Sequence, residues 1–150
     1  MVGAQGLSPC GLRSVRVQVS PPALTHSISR GGPNFGVGKH IIIELENCPF
    51  RVLDDLHTIE HTLLEVVKVL KVHLLHSYFH KFAPQGVSGC IIIEESHISV
   101  HTWPELGYAA IDVFTCGLVD PSSVVEFLKK ELCAKRVSSK LLVRGPGEIK

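Results

Sequence analysis

Three stretches between Val87 and Cys116 leave this chain few ways to fold. Val87–Glu94 is a β-branched run. Ile98, Val100 and Thr102 then alternate with His97, Ser99, His101 and Trp103, and Tyr108–Thr115 forms a third strand-like stretch ending at Cys116-Gly117. A period of two sends successive side chains to opposite faces of a strand. The joins, at Glu95-Ser96 and at Pro104-Glu105-Leu106-Gly107, are much shorter than the crossover that parallel strands require. The three stretches therefore predict an antiparallel sheet.

The flanking sequence supplies the rest of a small domain. Ile41–Leu45 reads as a buried strand, with the folded part beginning near His40. Asp54-Asp55 can cap a helix, and Leu56, Ile59, Leu63, Val66, Val67 and Leu70 follow with helical spacing. His73–Phe82 is ambiguous in period but aromatic enough for a strand, and Ala83-Pro84-Gln85-Gly86 is a turn. Asp120-Pro121 starts a second helix, Asp as cap and Pro in the first turn. Val124, Leu128 and Leu132 form its apolar stripe, and Val137–Val143 closes the chain as a short strand. The predicted order is β-α-β-β-β-β-α-β. Two helices with one apolar face each predict an α+β two-layer sandwich, a mainly antiparallel sheet with both helices packed on one face.

Charge divides the 150 residues in two. Residues 1–39 hold Arg13, Arg16, Arg30 and Lys39, no acidic residue, and Pro9, Pro21, Pro22 and Pro33; the remaining 11 basic and all 14 acidic residues follow. We read residues 1–37 as a disordered or non-native extension without sustained period, and residues 38–150 as the domain. Arg- and Ser-rich, acid-free N-termini also occur as transit peptides, but no amphipathic helix is visible here. A formal net charge of +1 provides no bulk attraction to nucleic acid, and no apolar run approaches the ~18 residues of a membrane span. Five cysteines, at 10, 48, 90, 116 and 133, form no C-x-x-C pair, which argues against a disulfide framework and for reduced thiols in the cytoplasm.

Glu95-Ser96-His97 lies where one strand-like run turns into the next. A serine at such a turn is by default structural. A distorted peptide allows another role: the hydroxyl attacks the preceding carbonyl if the oxyanion is stabilised. The amide becomes an ester, loss of the serine α-proton expels the Glu95 carboxylate, and hydrolysis of the resulting dehydroalanine leaves an N-terminal pyruvoyl group.

The wider context favours the second role. Phe79-His80-Lys81-Phe82, Gly86-Val87-Ser88-Gly89, Glu95-Ser96-His97, His101-Thr102-Trp103-Pro104-Glu105, Gly107-Tyr108-Ala109-Ala110 and Asp112-Val113-Phe114-Thr115-Cys116-Gly117 together resemble the bacterial and archaeal S-adenosylmethionine decarboxylase proenzyme family, in its order and spacing. Gly38-Lys39-His40 and Lys135-Arg136-Val137 also fit, so the resemblance covers about residues 38–150. Glu46-Asn47-Cys48 departs from it, since that strand end commonly carries an aromatic residue.

The resemblance implies a pyruvoyl-dependent carboxy-lyase that acts on S-adenosylmethionine and supplies the aminopropyl donor for spermidine synthesis. Cleavage between Glu95 and Ser96 would give chains 1–95 and 96–150. Ser96 would become the pyruvoyl group, the Schiff-base partner of the substrate amine and the electron sink, so no external cofactor and no metal are expected. By the same resemblance Ser88 and His101 are processing residues, with His101 the acid–base group, and Cys116 is the catalytic proton donor. Phe82, Trp103 and Glu105 are substrate contacts: the aromatics would meet adenine or the sulfonium, and Glu105 the ribose. The implied assembly is a dimer of processed protomers with active sites near the interface. No nucleic acid or membrane partner is expected.

Two rivals remain. His57-Thr58-Ile59-Glu60-His61 spells H-x-x-E-H, with both histidines on one helix face at a zinc-binding spacing, but no third ligand is evident and a solvated polar face opposite Ile59 and Leu63 is the preferred explanation. The chain could also be an uncleaved substrate-binding or regulatory homologue. Retention of Ser88, Ser96, His101 and Cys116 together speaks against that.

Overall fold

The computed structural model describes residues 37–146. Strand β1 (Gly38–Glu46) leads to a short helix α1 (Phe50–Leu53) and the long helix α2 (Leu56–Leu70). Strands β2 (Leu74–Lys81), β3 (Val87–Ile93), β4 (Ser96–Trp103) and β5 (Tyr108–Cys116) follow. A 3-10 turn at Pro121–Val124 runs into helix α3 (Val125–Glu131), and β6 (Arg136–Arg144) ends the fold. The α+β expectation and the order of the main elements hold. The sequence reading missed α1, whose four residues are too few for a periodic signal; it starts after Pro49, at a φ of −64°. The expected extension over residues 1–37 lies outside the described residues, except Val37, whose N–H donates to the Arg144 carbonyl.

The local reasons for these elements are visible. The Asp55 side chain accepts from the Thr58 N–H, and Lys71 ends α2 in the left-handed conformation at a φ of 56°. Ile59, Thr62, Leu63, Val66, Val67 and Leu70 line the buried side of the helix. Asp120 accepts from the Ser122 N–H at the second helical start. Each fully buried Leu or Ile contributes about 1.5–3 kcal/mol from burial, which is why the stripes dominate over the weak propensity of single residues.

All pairings in the sheet are antiparallel, and the strand order is β2-β3-β4-β5-β1-β6. One face carries Ile41, Ile43, Leu45, Val87, Ile91, Ile93, Ile98, Val100, Ile111 and Val113, and it forms a single core with Ile59, Leu63, Val66, Val124, Leu128 and Leu132. Among the described residues, the other face has no helix on it. Gly89 is needed on the covered side because a Cβ there would stand 2.1 Å from the Phe79 ring. Thr102 is one of three buried threonines among the described residues: its hydroxyl accepts from the Val87 N–H at 2.8 Å and donates to the Leu53 carbonyl at 2.9 Å.

Candidate active site

The uncovered sheet face collects the chemistry. Register sets His97 beside Ile92 and Phe114, Ser99 beside Cys90 and Asp112, His101 beside Ser88 and Ala110, and Trp103 beside Tyr108. Along β4 these rows separate the predicted site residues into two groups. Glu95, Ser96 and Cys116 lie at one end of the sheet, and Phe82, Ser88, His101, Trp103 and Glu105 lie at the other. Ser96 and His101 are five positions apart on the strand, about 17 Å at ordinary strand rise. One chain therefore does not bring all the predicted site residues together.

At the first end, Glu94-Glu95 is a two-residue turn between β3 and β4, with Ile93 facing Ser96. Two-residue hairpins relax when the turn residues take positive φ. Neither glutamate does so; the positive angle falls on Ser96, at 152°. A non-glycine residue there carries about 1–3 kcal/mol of strain. The Glu95 carbonyl accepts from the Cys116 N–H at 2.9 Å. The Glu95 side chain accepts from the His73 N–H at 3.2 Å, and the Glu94 N–H donates to the His73 carbonyl at 2.9 Å, so both turn residues are tied down. Ser96 Oγ lies 3.3 Å from His97 Nδ1. The serine backbone is thus strained, the preceding carbonyl oxygen faces a donor, and the serine hydroxyl has a nitrogen base in reach. That is the arrangement an acyl shift needs.

At the second end, Ser88 Oγ and His101 Nδ1 are 2.8 Å apart across the β3–β4 ladder. Trp103 stacks on Tyr108 with centroids 5.2 Å apart, and the Tyr108 hydroxyl donates to the Glu44 carboxylate. Holding that proton pushes the Tyr108 pKa up to about 12. Phe82 meets His80 edge-on at 4.6 Å, and Gln85 Nε2 donates to Glu105 at 3.1 Å. Phe82 and Trp103 remain 47% and 39% exposed, so these large aromatics are available to a ligand rather than spent on the core. Asp54 fixes the turn between them, accepting from Lys81 and from the Gly86 N–H; the Lys81 bond comes first among the causes that lower its pKa. The departure at Glu46-Asn47-Cys48 lies nearby: Asn47 takes a left-handed φ of 56°, a conformation asparagine tolerates, and the Cys48 N–H donates to the Gly107 carbonyl at 2.9 Å.

Sequence reasoning did not single out Tyr108, Glu44 or Gln85, nor a separate role for His97. Tyr108 had a usable signal, since alternation along β5 puts it on the Trp103 face; the donor at Cys116 is backbone and left none. The H-x-x-E-H histidines lie on the solvent side of α2, where His61 is 3.8 Å from Glu65. Among the described residues, no three His, Cys, Asp or Glu side chains are grouped to hold a metal ion, and no helix is long and apolar enough to cross a membrane.

Comparisons with known proteins point to one family. The family model described as S-adenosylmethionine decarboxylase matches residues 39–145. The S-adenosylmethionine decarboxylase proenzyme of Carboxydothermus hydrogenoformans is 47% identical over 110 residues, 73% of this chain and 87% of that protein. The proenzyme of the same description from Methanococcus maripaludis is 46% identical over 114 residues, 75% of this chain and 93% of that protein. The crystal structure of the adenosylmethionine decarboxylase from Aquifex aeolicus matches the fold with a TM-score of 0.69 at 32% identity, over 75% of this chain and 94% of that one. With the family model matched over residues 39–145 and these relatives matched over most of their length, the chain belongs to the S-adenosylmethionine decarboxylase family.

Proposed function

We propose that the chain decarboxylates S-adenosylmethionine, after cutting itself between Glu95 and Ser96. The observation that carries the reading is the junction itself: a φ of 152° at Ser96 and a Glu95 carbonyl already bonded to the Cys116 N–H at 2.9 Å. Ser96 attacks that carbonyl, and the developing charge meets a fixed donor. Loss of the Ser96 α-proton then expels the Glu95 carboxylate and leaves dehydroalanine, whose imine tautomer water hydrolyses to the pyruvoyl carbonyl with release of ammonia. A pyruvoyl carbonyl at position 96 supplies the electron sink for the pair left when carbon dioxide departs. The strained serine and its polarised preceding carbonyl fit formation of that group from the chain alone.

The remaining residues bind substrate and move protons. Cys116, beside the junction, delivers a proton to the substrate carbon. Phe82 and Trp103 offer faces to adenine or to the sulfonium, and Glu105 accepts from the ribose. Because His101, at the same end of the sheet as this second group, lies about 17 Å from Ser96 along β4, a second copy supplies the group. In a two-fold dimer, a residue of one copy that meets a second residue of its partner has the same contact repeated in reverse. Opposing the open sheet faces end over end puts Phe82, Ser88, His101, Trp103 and Glu105 of one copy against Ser96 and Cys116 of the other. The open face suits such burial, with Tyr78 and Ile92 64% and 43% exposed there. The product is decarboxylated S-adenosylmethionine for spermidine synthesis, made in the cytoplasm, where Cys116 stays a thiol.

Intact-mass measurement on purified protein tests the reading, together with carbon dioxide release from carboxyl-labelled S-adenosylmethionine. Two chains, of residues 1–95 and 96–150, are expected, the second with a blocked N-terminus, along with release of label. A single full-length species that releases none overturns it.

A further inference from the structure

The residue after Ser96 has no part in the reading above, yet it touches the reacting hydroxyl. Consecutive strand residues face opposite ways. Register puts Ser96 opposite Ile93 and Thr115, both buried against the helices, and puts His97 on the open face with Ile92 and Phe114. A regular strand would separate the two side chains. The positive φ at Ser96 breaks the alternation, and Ser96 Oγ comes within 3.3 Å of His97 Nδ1.

The imidazole is held in place. Its ring meets Phe114 edge-on at 5.8 Å and His40 at 6.1 Å. His40 is fixed in turn. Its Nδ1 faces Arg144 Nη1 at 3.5 Å, and its buried Nε2 makes no hydrogen bond among the described residues, with Asp112 Oδ1 standing 3.5 Å away. Asp112 also accepts from Ser99 Oγ at 2.9 Å. Burial lowers the His40 pKa, which disfavours a positive charge on the ring beside His97.

We propose that His97 is a catalytic base of self-cleavage, its Nδ1 taking the Ser96 hydroxyl proton as Oγ attacks the Glu95 carbonyl carbon. The inference rests on the reading of Ser96 as the pyruvoyl precursor. The Oγ–H bond breaks and an Oγ–C bond forms. The proton goes to Nδ1, and the carbonyl electron pair goes to the Glu95 oxygen beside the Cys116 N–H. On collapse the Glu95–Ser96 C–N bond breaks, and His97 returns the proton to the departing nitrogen, now a free amine. An ester is left, His97 is neutral again, and no other reactant is consumed. Removal of the α-proton and expulsion of the Glu95 carboxylate fall to His101. The two histidines thus serve successive steps, His97 from the same chain and His101 from the second copy.

The test is a pulse of cell-free synthesis of the full chain, chased and sampled by intact mass, with and without hydroxylamine, which cuts esters and spares amides. Wild type, His97→Ala, His97→Gln and His101→Ala are compared. Both His97 variants are expected to cleave roughly a hundred-fold more slowly than wild type and to accumulate no hydroxylamine-sensitive ester. Imidazole in the buffer should speed His97→Ala, which leaves a space the size of the lost ring, and leave His97→Gln slow. His101→Ala should accumulate the ester. Wild-type cleavage rates in either His97 variant overturn the proposal. So does ester accumulation in them, or a slow His97→Ala that imidazole does not speed. A wild-type chain that never cleaves overturns the underlying reading of Ser96, and this inference with it.

Discussion

The amide nitrogen of Cys116 donates to the carbonyl oxygen of Glu95 across 2.9 Å, joining the end of β5 to the turn that carries the scissile bond. One residue thus offers two different groups, a backbone donor and a thiol. The backbone donor survives any side-chain replacement other than proline. Cys116→Ala is therefore expected to cleave itself at close to the wild-type rate, while its decarboxylation rate drops by about 10²–10⁴-fold, the usual contribution of a positioned proton donor. Intact mass reads the first quantity and carbon dioxide release the second. Normal turnover in the cleaved variant removes the proton-donor role.

Ser96 is held at a φ of 152°, where any side chain beyond hydrogen is strained. Ser96→Ala and Ser96→Gly both lack the attacking hydroxyl and should remain single chains. They should differ in stability. Glycine takes that backbone conformation freely, so Ser96→Gly is expected to exceed Ser96→Ala by about 1–3 kcal/mol in chemical denaturation. Equal midpoints would mean that the turn is not strained in solution.

The separation of Ser96 from His101 along β4 makes a different prediction. If each complete site draws on two copies, two dead variants can repair one another. Ser96→Ala lacks the nucleophile and His101→Ala lacks the acid–base group, but a mixed dimer pairs an intact Ser96 with an intact His101 at one of its two sites. Random assembly on co-expression should restore about a quarter of wild-type activity. Each variant expressed alone should show almost none. No recovery in mixed dimers, verified by differential tags, would return His101 to the same chain as the serine it serves.

How far this was readable beforehand depended on whether the signal was local. Alternation at Ile98, Val100 and Thr102, the caps at Asp55 and Asp120, and the stripe from Ile59 to Leu70 are short-range patterns, and the elements formed where they indicated. The place of β1 between β5 and β6 depends on pairing between segments far apart in the chain, which leaves no local trace. The site behaved similarly. Residue types at Ser88, Ser96, His101 and Cys116 pointed to a chemistry, but only the register reveals that Ser88 and Ser96 sit at opposite ends of the sheet. The Ser96–His97 contact was out of reach because strand alternation forbids it, and a single irregular φ permits it.

Tyr108 links the second group of site residues to stability. Its ring stacks on Trp103 at 5.2 Å, and its hydroxyl donates to Glu44, so ionising the phenol would set two negative groups against each other. Its pKa accordingly stands at about 12 in the fold, against 10.0 for a free tyrosine. Between those values the folded chain keeps a proton that the unfolded chain has lost. The contribution to stability is therefore complete below pH 10 and disappears as pH rises toward 12. Tyr108→Phe keeps the stack and removes the ionisable group. The wild type should melt at a higher temperature than Tyr108→Phe at neutral pH, and the gap should close steadily above about pH 10. Every other titrating group is common to both proteins and cancels in the difference. A gap that stays constant or widens with alkalinity would show that Glu44 does not hold the Tyr108 proton.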